Sequence, residues 1–256
     1  MTRIFQIALM GLSLLVMAGC ATVPRDPAAR AEFKANNDPI EPLNRDIFAF
    51  NLSVDRFLIK PVAKGYRAVL PQPIRDALRR VLDNLNEPLV MANCLLQARF
   101  NSAIVTGGRF AVNSTLGVAG IADVAKRWRL PKQFGDFGQT LWSWDVPDGP
   151  YLILPLFGPS NPRDAVGRGV DVYLDPLRYI PAHNNYPNWL TTGRIVVDGI
   201  DQRARTIDTL DELQRDSVDF YAAMRSLYRQ NRAAELQGGK ASTTLPPADF
   251  YDEPGR

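Results

Sequence analysis

Apolar residues recur at helical spacing through most of the chain, in segments that begin at prolines. Proline suits the first turn of a helix, and the residue before a proline resists helical angles. The prolines predicted to start helices are Pro42, Pro73, Pro88 and Pro176. In the first half of the chain, the apolar pattern predicts helices over residues 42–59, 73–86, 88–100 and 103–125.

The first two predicted helices differ in how their apolar residues are distributed. In the first, apolar residues surround most of the circumference, and a helix of that kind is buried in protein or faces lipid. In the second, the apolar residues occupy one face, at positions i, i+4, i+7, i+8 and i+11 from Ile74. The opposite, polar face carries Arg75, Asp76, Arg79 and Asp83.

The pattern changes between residues 131 and 165, where six prolines and four glycines are mixed with aromatic residues. Such a composition predicts an irregular, structured loop, with one short strand over residues 151–154. Helical spacing resumes over residues 165–173 and 189–236, with an interruption near Asp216. The fold class is therefore predicted to be mainly α.

The N-terminus has the pattern of an export signal. Arg3 precedes an uncharged, largely apolar stretch that ends in Met17-Ala18-Gly19-Cys20. Two small residues before a cysteine resemble a bacterial lipobox, which predicts acylation of Cys20. An uncleaved membrane anchor, or an ordinary signal peptide with an incidental cysteine, is the alternative. In the usual sorting rule, Ala21 after the cysteine favours the outer membrane.

Composition changes along the chain in a way that predicts four segments. Residues 1–19 form the lipoprotein signal peptide, and residues 20–37, small and charged with two prolines, form a tether. The helical domain spans residues 38–236. Residues 237–256 have no periodic apolar face and are predicted to be a disordered tail.

Charge and rare residues exclude several functions. The 30 Lys+Arg against 27 Asp+Glu give a net charge of +3, too balanced for nucleic-acid binding. A single histidine, His183, argues against a His-cluster metal site, and no cofactor is expected. After Cys20 no apolar stretch is long enough for an ordinary transmembrane helix. With Cys20 acylated, Cys94 is expected to be a small buried apolar residue.

Several collinear motifs resemble the MlaA (VacJ) family of outer-membrane lipoproteins. The first two groups are Asp38-Pro39-Ile40-Glu41-Pro42-Leu43-Asn44-Arg45 and Asn86-Glu87-Pro88. Downstream follow Asp136-Phe137-Gly138-Gln139, Gly149-Pro150-Tyr151, Gly158-Pro159 and Arg163-Asp164. The chain departs from the family pattern at Trp142-Ser143-Trp144, where a glycine is expected soon after the leucine.

The resemblance implies a role in lipid transport. The architecture implied by the resemblance is a helical ring embedded in the inner leaflet of the outer membrane. A phospholipid misplaced in the outer leaflet passes through the amphipathic channel of family members to a periplasmic carrier of the MlaC type. They commonly lie beside trimeric porins. The resemblance therefore implies phospholipid, the outer membrane, a periplasmic carrier and a porin as partners, with no enzymatic activity.

Individual residues are candidates for parts of this function. Arg75 and Arg79, one turn apart, are candidates for the lipid path or its periplasmic exit. Asn44 and Arg45 are interpreted either as lining or hinge residues or as local hydrogen-bonding partners. Glu87 is expected to cap the helix that Pro88 starts. The cluster Lys126-Arg127-Trp128-Arg129 is either an interfacial anchor or a solvated surface.

Two other functions stay open at this point. A structural outer-membrane lipoprotein without a lipid path would share these sequence features. A membrane-anchored lipid hydrolase would need His183 as its general base. The chain has no Gly-x-Ser-x-Gly motif, which disfavours the hydrolase.

Overall fold

A computed structural model describes residues 36–175 and 189–237, together with residues 26, 27, 30 and 33. Cys20, His183, Pro176, the signal segment and the tail after residue 237 lie outside the described residues. The mainly α class is confirmed. The ring-like arrangement, the embedding in a membrane and the domain boundaries stay predictions.

The first helical segment is longer than predicted. Helix α1, Glu41–Val54, begins at the Pro42 signal and passes into a π-helical turn, Asp55–Ile59, which continues as α2, Lys60–Val69. The predicted end at residue 59 is therefore wrong. The chain stays helical because Ala63 of α2 is fully buried against Ala204 and Ile207 of a later helix.

A single long helix replaces the two helices that were predicted around Pro88. Helix α3 spans Gln72–Leu96, and helix α4 spans Phe100–Thr115. A proline removes one helical hydrogen bond, which favours a break. Both halves of α3 nevertheless pack on α4: before Pro88, Asn84 donates a hydrogen bond to Ser114 at 2.9 Å, and after it, Cys94 packs on Ala103. Tertiary contacts on both sides thus keep the helix continuous. Cys94 is buried and free, as predicted.

Helix α4 ends ten residues before the predicted end at residue 125. Val118, Ala119 and Gly120 all have positive φ, which a helix does not tolerate. A Cβ at Gly117 would lie 2.3 Å from the carbonyl oxygen of Ala122, so this tight turn needs a glycine. A short helix, α5, Val124–Arg127, follows the turn.

The Pro- and Gly-rich segment contains more regular structure than predicted. Helix α6, Phe137–Ser143, is followed by strands β1, Leu152–Leu154, and β2, Gly158–Ser160. The two strands are antiparallel, with Ile153 opposite Pro159. The predicted strand is confirmed within a residue, whereas α6 and β2 were missed because each is very short.

Three helices complete the described chain. Helix α7 spans Pro162–Leu174, so it starts three residues before the predicted position. Helices α8, Trp189–Asp216, and α9, Phe220–Leu236, are separated at the predicted interruption. Asp219 caps α9 by accepting a hydrogen bond from the backbone N–H of Ala222 at 3.2 Å. None of the described helices combines the length and the apolarity that crossing a membrane requires.

Candidate functional site

The interior of the described region is rich in polar groups, and its surface is rich in apolar ones. Of the described residues, 17 polar or charged ones are buried, against 12 apolar ones. Large apolar side chains are exposed instead, among them Phe57 at 78%, Val69 at 76% and Ile104 at 73%. Large exposed apolar patches mark sites that contact proteins, ligands or membranes, so these side chains are candidates for such contact.

Asn44 ties the start of α1 to strand β1. Its side-chain amide donates to Asp38 at 2.8 Å and to the Tyr151 carbonyl at 3.0 Å, and accepts from the Ile153 N–H at 2.9 Å. These contacts leave the side chain fully satisfied and 1% exposed. Asn44 therefore makes long-range hydrogen bonds, which neither sequence interpretation included.

Asp38 joins the same cluster to helix α9. It accepts hydrogen bonds from the Tyr221 hydroxyl and from Arg225, the latter at 2.8 Å. Burial, followed by the hydrogen bond to Asp38, raises the pKa of Tyr221, which keeps this phenol protonated. Arg45, the neighbour of Asn44, pairs with Glu41 at 2.7 Å and with Asp219 at 2.6 Å. The first family motif thus anchors the C-terminal helix.

Glu87 forms a buried ion pair and not the predicted helix cap. It lies inside α3, because the helix does not break at Pro88, and accepts from Nε of Arg109 on α4 at 2.9 Å. Burial raises the pKa of Glu87, and the hydrogen bond from Arg109 opposes this rise. Arg109 also reaches Asp123, with Nη2 3.2 Å from a carboxylate oxygen. These contacts fix the turn that ends α4.

A third cluster surrounds Arg232 on α9. Its guanidinium donates to both oxygens of Asp136 and to both oxygens of Asp164, each at 2.8 Å. Asp164 also accepts from Asn161 and Tyr228. Burial alone would raise the pKa of Asp164, but Arg232 and these donors lower it overall. Two motifs far apart in sequence, at residues 136–139 and 163–164, are joined here.

The remaining motif residues serve close approach and chain reversal. A Cβ at Gly167 of α7 would lie 2.4 Å from the backbone nitrogen of Gly138, so α6 and α7 cross in direct contact. Asp136 caps α6, because its side chain accepts a hydrogen bond from the Gln139 N–H at 2.8 Å. Gly149 and Gly158 have φ of +75° and +74° at turns beside β1 and β2. Three further motif residues are half-buried: Asn86 of α3, Pro150 before β1 and Pro159 of β2. Arg163 is buried beside Asp164.

A group of charged side chains, the charged seam, lies between α3 and α8. We define it as Arg75, Asp76, Arg79 and Asp83 of α3 with Arg194, Asp198, Asp201 and Arg205 of α8. Arg205 approaches Asp76 at 3.5 Å and pairs with Asp201 at 2.7 Å. Arg194 donates to the Leu85 carbonyl at 3.5 Å. The two helices thus face each other with alternating charges.

Asp198 lies among the charges of the seam, and its side chain is exposed. Loss of hydration and the nearby charge of Asp83 raise its pKa, although Arg194 and Arg79 oppose the rise. Asp201 of the seam accepts a hydrogen bond from the Tyr66 hydroxyl at 2.9 Å. Burial and this hydrogen bond raise the pKa of Tyr66 to about 12.

The structure places both candidate arginines at this seam. Arg79 lies 3.9 Å from Asp83 and is exposed. Arg75 is half-buried, its carbonyl accepts from Arg205 at 3.5 Å, and its Nε has no hydrogen-bond partner among the described residues. Their role in a lipid path stays a prediction.

Sequence reasoning missed the partners that lie on α8 and α9, namely Asp198, Asp201, Arg225 and Arg232. Arg225 and Arg232 are seven residues apart, about two helical turns, so they lie on the same face of α9. This spacing is a sequence signal that the two side chains share a buried face. Their acidic partners are more than 60 residues away in sequence, so the pairing itself leaves no local pattern. Within the described residues, no group of His, Cys, Asp and Glu side chains is arranged to hold a metal ion.

Comparison with known proteins agrees with this geometry. The sequence profile of the MlaA lipoprotein family matches residues 36–235. The intermembrane phospholipid transport system lipoprotein MlaA of Escherichia coli (strain K12) is 33% identical over 239 residues, covering 92% of this chain and 90% of the relative. The protein of the same name from Haemophilus influenzae is 33% identical over 239 residues, covering 90% and 89%.

A solved structure is similar as well. It comes from work on the structural basis for maintenance of bacterial outer membrane lipid asymmetry, with a TM-score of 0.67 and 35% sequence identity. The match covers 78% of this chain and 98% of that one. The profile match over residues 36–235 and the identity to two named relatives establish the family, as the motifs indicated: the chain belongs to the MlaA lipoprotein family.

Proposed function

We propose that this protein is an outer-membrane lipoprotein that passes phospholipids mislocalised in the outer leaflet to the periplasm, and so maintains the lipid asymmetry of the membrane. The observation that carries the proposal is that, among the described residues, many charged and polar groups are buried while large apolar side chains are exposed. The relatives named as phospholipid transport lipoproteins support the same function.

The physical requirement of such a path is a polar route for the headgroup. Moving a charged headgroup through hydrocarbon without partners costs several kcal/mol or more. The charged seam offers both signs of charge, which suits a phosphate and its counter-charge. The apolar exterior leaves the acyl chains in contact with lipid. Energy for net movement is supplied by partners or by the lipid gradient, because the sequence contains no phosphate-binding GxxxxGK[ST] loop.

The partners follow from this position. Acylated Cys20 holds the chain at the periplasmic side of the outer membrane, a periplasmic carrier of the MlaC type receives the lipid, and a trimeric porin lies beside the protein. These assignments rest on the family and on the lipobox at Met17-Ala18-Gly19-Cys20.

Charge reversal in the seam tests the lipid path. The double variant Arg75→Glu/Arg79→Glu should slow the transfer of anionic phospholipid more than that of zwitterionic phospholipid, because it places negative charge on the route. The measurement is transfer of labelled phosphatidylglycerol and phosphatidylethanolamine from vesicles that contain the purified protein. Circular dichroism and membrane recovery should stay unchanged.

Lys64→Glu/Arg215→Glu is the matched control, since both basic residues are exposed and lie outside the seam. It changes the net charge by the same amount and should transfer both lipids at the wild-type rate. If the folded seam variant transfers both lipid classes equally, the two arginines are not part of the path.

The two alternative functions give different results in the same preparation. A structural lipoprotein without a lipid path would be purified without bound phospholipid and would transfer none. A hydrolase would release fatty acid and lose activity in His183→Ala, whereas a passive conduit retains transfer in that variant, since it needs no proton shuttle. We expect bound phospholipid, transfer and no fatty-acid release.

A further inference from the structure

A polar recess lies outside the charged seam, where α6, α7 and α9 meet. It has a volume of about 370 Å³, within the range of small-molecule sites, and is lined by Trp142, Asp145, Asp148, Arg163 and Leu236 together with Val146 and Pro147. None of these residues belongs to the seam, and only Arg163 belongs to the family motifs.

Arg163 supplies a buried positive charge to this recess. Its side chain is only 3% exposed. Its hydrogen bonds are long, 3.4 Å to Asp164 and 3.4 Å to the Val146 carbonyl. Asp164 is already held by Arg232 at 2.8 Å, so it compensates Arg163 only in part. A buried guanidinium with weak partners gains from an added anion, and phosphate oxygens match its geometry.

Two carboxylates that line the recess supply negative charge. Asp145 and Asp148 are both exposed, and they lie in the turn that follows α6. Arg163 and these aspartates are therefore arranged to receive a ligand that carries an anion and a cation a few ångströms apart. The two aspartates would repel a free phosphate, and Arg163 would repel a free amine.

Two exposed tryptophans, of which Trp142 lines the recess, indicate a lipid surface. Trp142 and Trp144 are 44% and 51% exposed, and the Trp144 indole N–H donates to the Leu96 carbonyl at 3.2 Å. Exposed tryptophans of this kind are enriched at the headgroup level of membranes. They occupy the segment Trp142-Ser143-Trp144, where the sequence departs from the family pattern, so the feature belongs to this chain.

We propose that this recess binds the headgroup of a zwitterionic phospholipid with a primary ammonium. Arg163 contacts the phosphate, Asp145 and Asp148 contact the ammonium, and Trp142 packs on the first part of the acyl chains. The inference rests on the proposed function only in that the protein lies at a phospholipid surface. It does not require that lipid moves through the charged seam.

Calorimetric titration of the full-length protein in detergent tests the site with short-chain lipids below their micelle concentration. The probes are dihexanoyl phosphatidylethanolamine, dihexanoyl phosphatidylglycerol, phosphoethanolamine and inorganic phosphate. We expect the ethanolamine lipid to bind most tightly, followed by phosphoethanolamine, with phosphate weakest. Asp145→Asn/Asp148→Asn should weaken the binding of phosphatidylethanolamine about fivefold. The binding of phosphatidylglycerol should stay unchanged or become tighter.

Two further variants separate the parts of the site. Trp142→Ala should weaken the binding of phosphatidylethanolamine but not that of phosphoethanolamine, because only the lipid has acyl chains. Asp216→Asn, an exposed aspartate outside the recess, is the control and should bind as the wild type does. Both aspartates of the recess are exposed, so their replacement should not prevent folding.

The proposal is overturned by any of three results. The first is no saturable binding of the ethanolamine lipid. The second is equal binding of phosphoethanolamine and the lipid, which would indicate a soluble ligand. The third is ethanolamine binding that the double aspartate variant does not change. Loss of transfer in the vesicle assay would contradict the proposed function and leave these titrations unaffected.

Discussion

Asp198 is the residue whose titration has a measurable consequence for stability. Its pKa in the folded state is raised by desolvation first and by Asp83 second, so folding favours the protonated form. The ionised form therefore costs stability at neutral pH, and the cost disappears below the ordinary aspartate pKa of about 3.9, where both states are protonated. We expect Asp198→Asn to stabilise the protein at pH 7 by about 0.5 kcal/mol, a small value because the side chain is exposed.

Urea unfolding in detergent at pH 7 and at pH 3.5 measures this effect. The gain should be present at pH 7 and absent at pH 3.5. A loss of stability at pH 7 would mean that Asp198 gains more from Arg194 and Arg79 than it loses by desolvation.

The residue scale also shows how far motif recognition reaches. The residues of the first motif were identified from sequence, and the structure buries Asp38 and Asn44. Their roles could not be predicted, because Asn44 bonds to strand β1 109 residues later and Asp38 to helix α9 187 residues later. A hydrogen bond of that range depends on the packing of whole elements and leaves no local pattern.

Helices α6, α7 and α9 are held together at one point by Arg232. Removing it leaves Asp164 buried without its strongest partner, so Arg232→Ala should cost about 3–5 kcal/mol at pH 7. Arg232 lowers the pKa of Asp164, and this stabilisation is present above the ordinary pKa and is lost as the pH falls through the lowered one. The deficit of the variant should therefore shrink in acid.

Arg232→Lys is the matched variant for this prediction. It keeps the charge but loses the planar fork that reaches four carboxylate oxygens, so its loss of stability should be intermediate. Equal stability of the Lys and Ala variants, measured by thermal unfolding between pH 4 and pH 8, would show that charge makes no contribution.

At the scale of elements, sequence signals predicted helix starts better than helix ends. Pro42 and Pro73 lie in the first turns of α1 and α3, because a proline at that position needs no partner from the helix. The same rule failed at Pro88, where packing of α3 on α4 outweighs one missing hydrogen bond. The end of α4 was missed because Val118 and Ala119 adopt positive φ, which their residue types do not indicate.

The whole molecule exposes apolar surface, and this bears on how it is held at a membrane. Cleavage at the predicted lipobox would remove Arg3, so 29 basic against 27 acidic residues would give +2 and only weak electrostatic attraction to lipid. Cys20→Ala should therefore reduce recovery in the outer-membrane fraction. Phe57→Asp in addition should reduce it further, because this ring is 78% exposed and a charge in its place would oppose contact with lipid.

Membrane fractionation followed by quantitative blotting measures both variants. Phe57→Leu with Cys20→Ala is the control, since it keeps the side chain apolar and should match Cys20→Ala alone. Full recovery of Cys20→Ala at the outer membrane would show that insertion of the helices, without the lipid anchor, is sufficient.

The π-helical turn at Asp55–Ile59 decides which side of the first helical segment faces α8. In an α-helix, residues five apart point about 140° away from each other. Here the Lys60 N–H donates to the Asp55 carbonyl, so Lys60 lies one turn above Asp55. Both therefore reach α8, Asp55 receiving Arg203 at 2.6 Å and Lys60 pairing with Asp211 at 2.8 Å.

Length at this turn consequently matters more than side-chain identity. Residues 56–58 are exposed, so substitutions there change no ion pair. Deleting one of them would restore an unbroken α-helix, yet rotate α2 by about 100° relative to α1 and turn Lys60 and Ala63 away from α8. Three positions that tolerate most substitutions would then reject the loss of a single residue, a pattern that a mutational scan limited to substitutions would not detect.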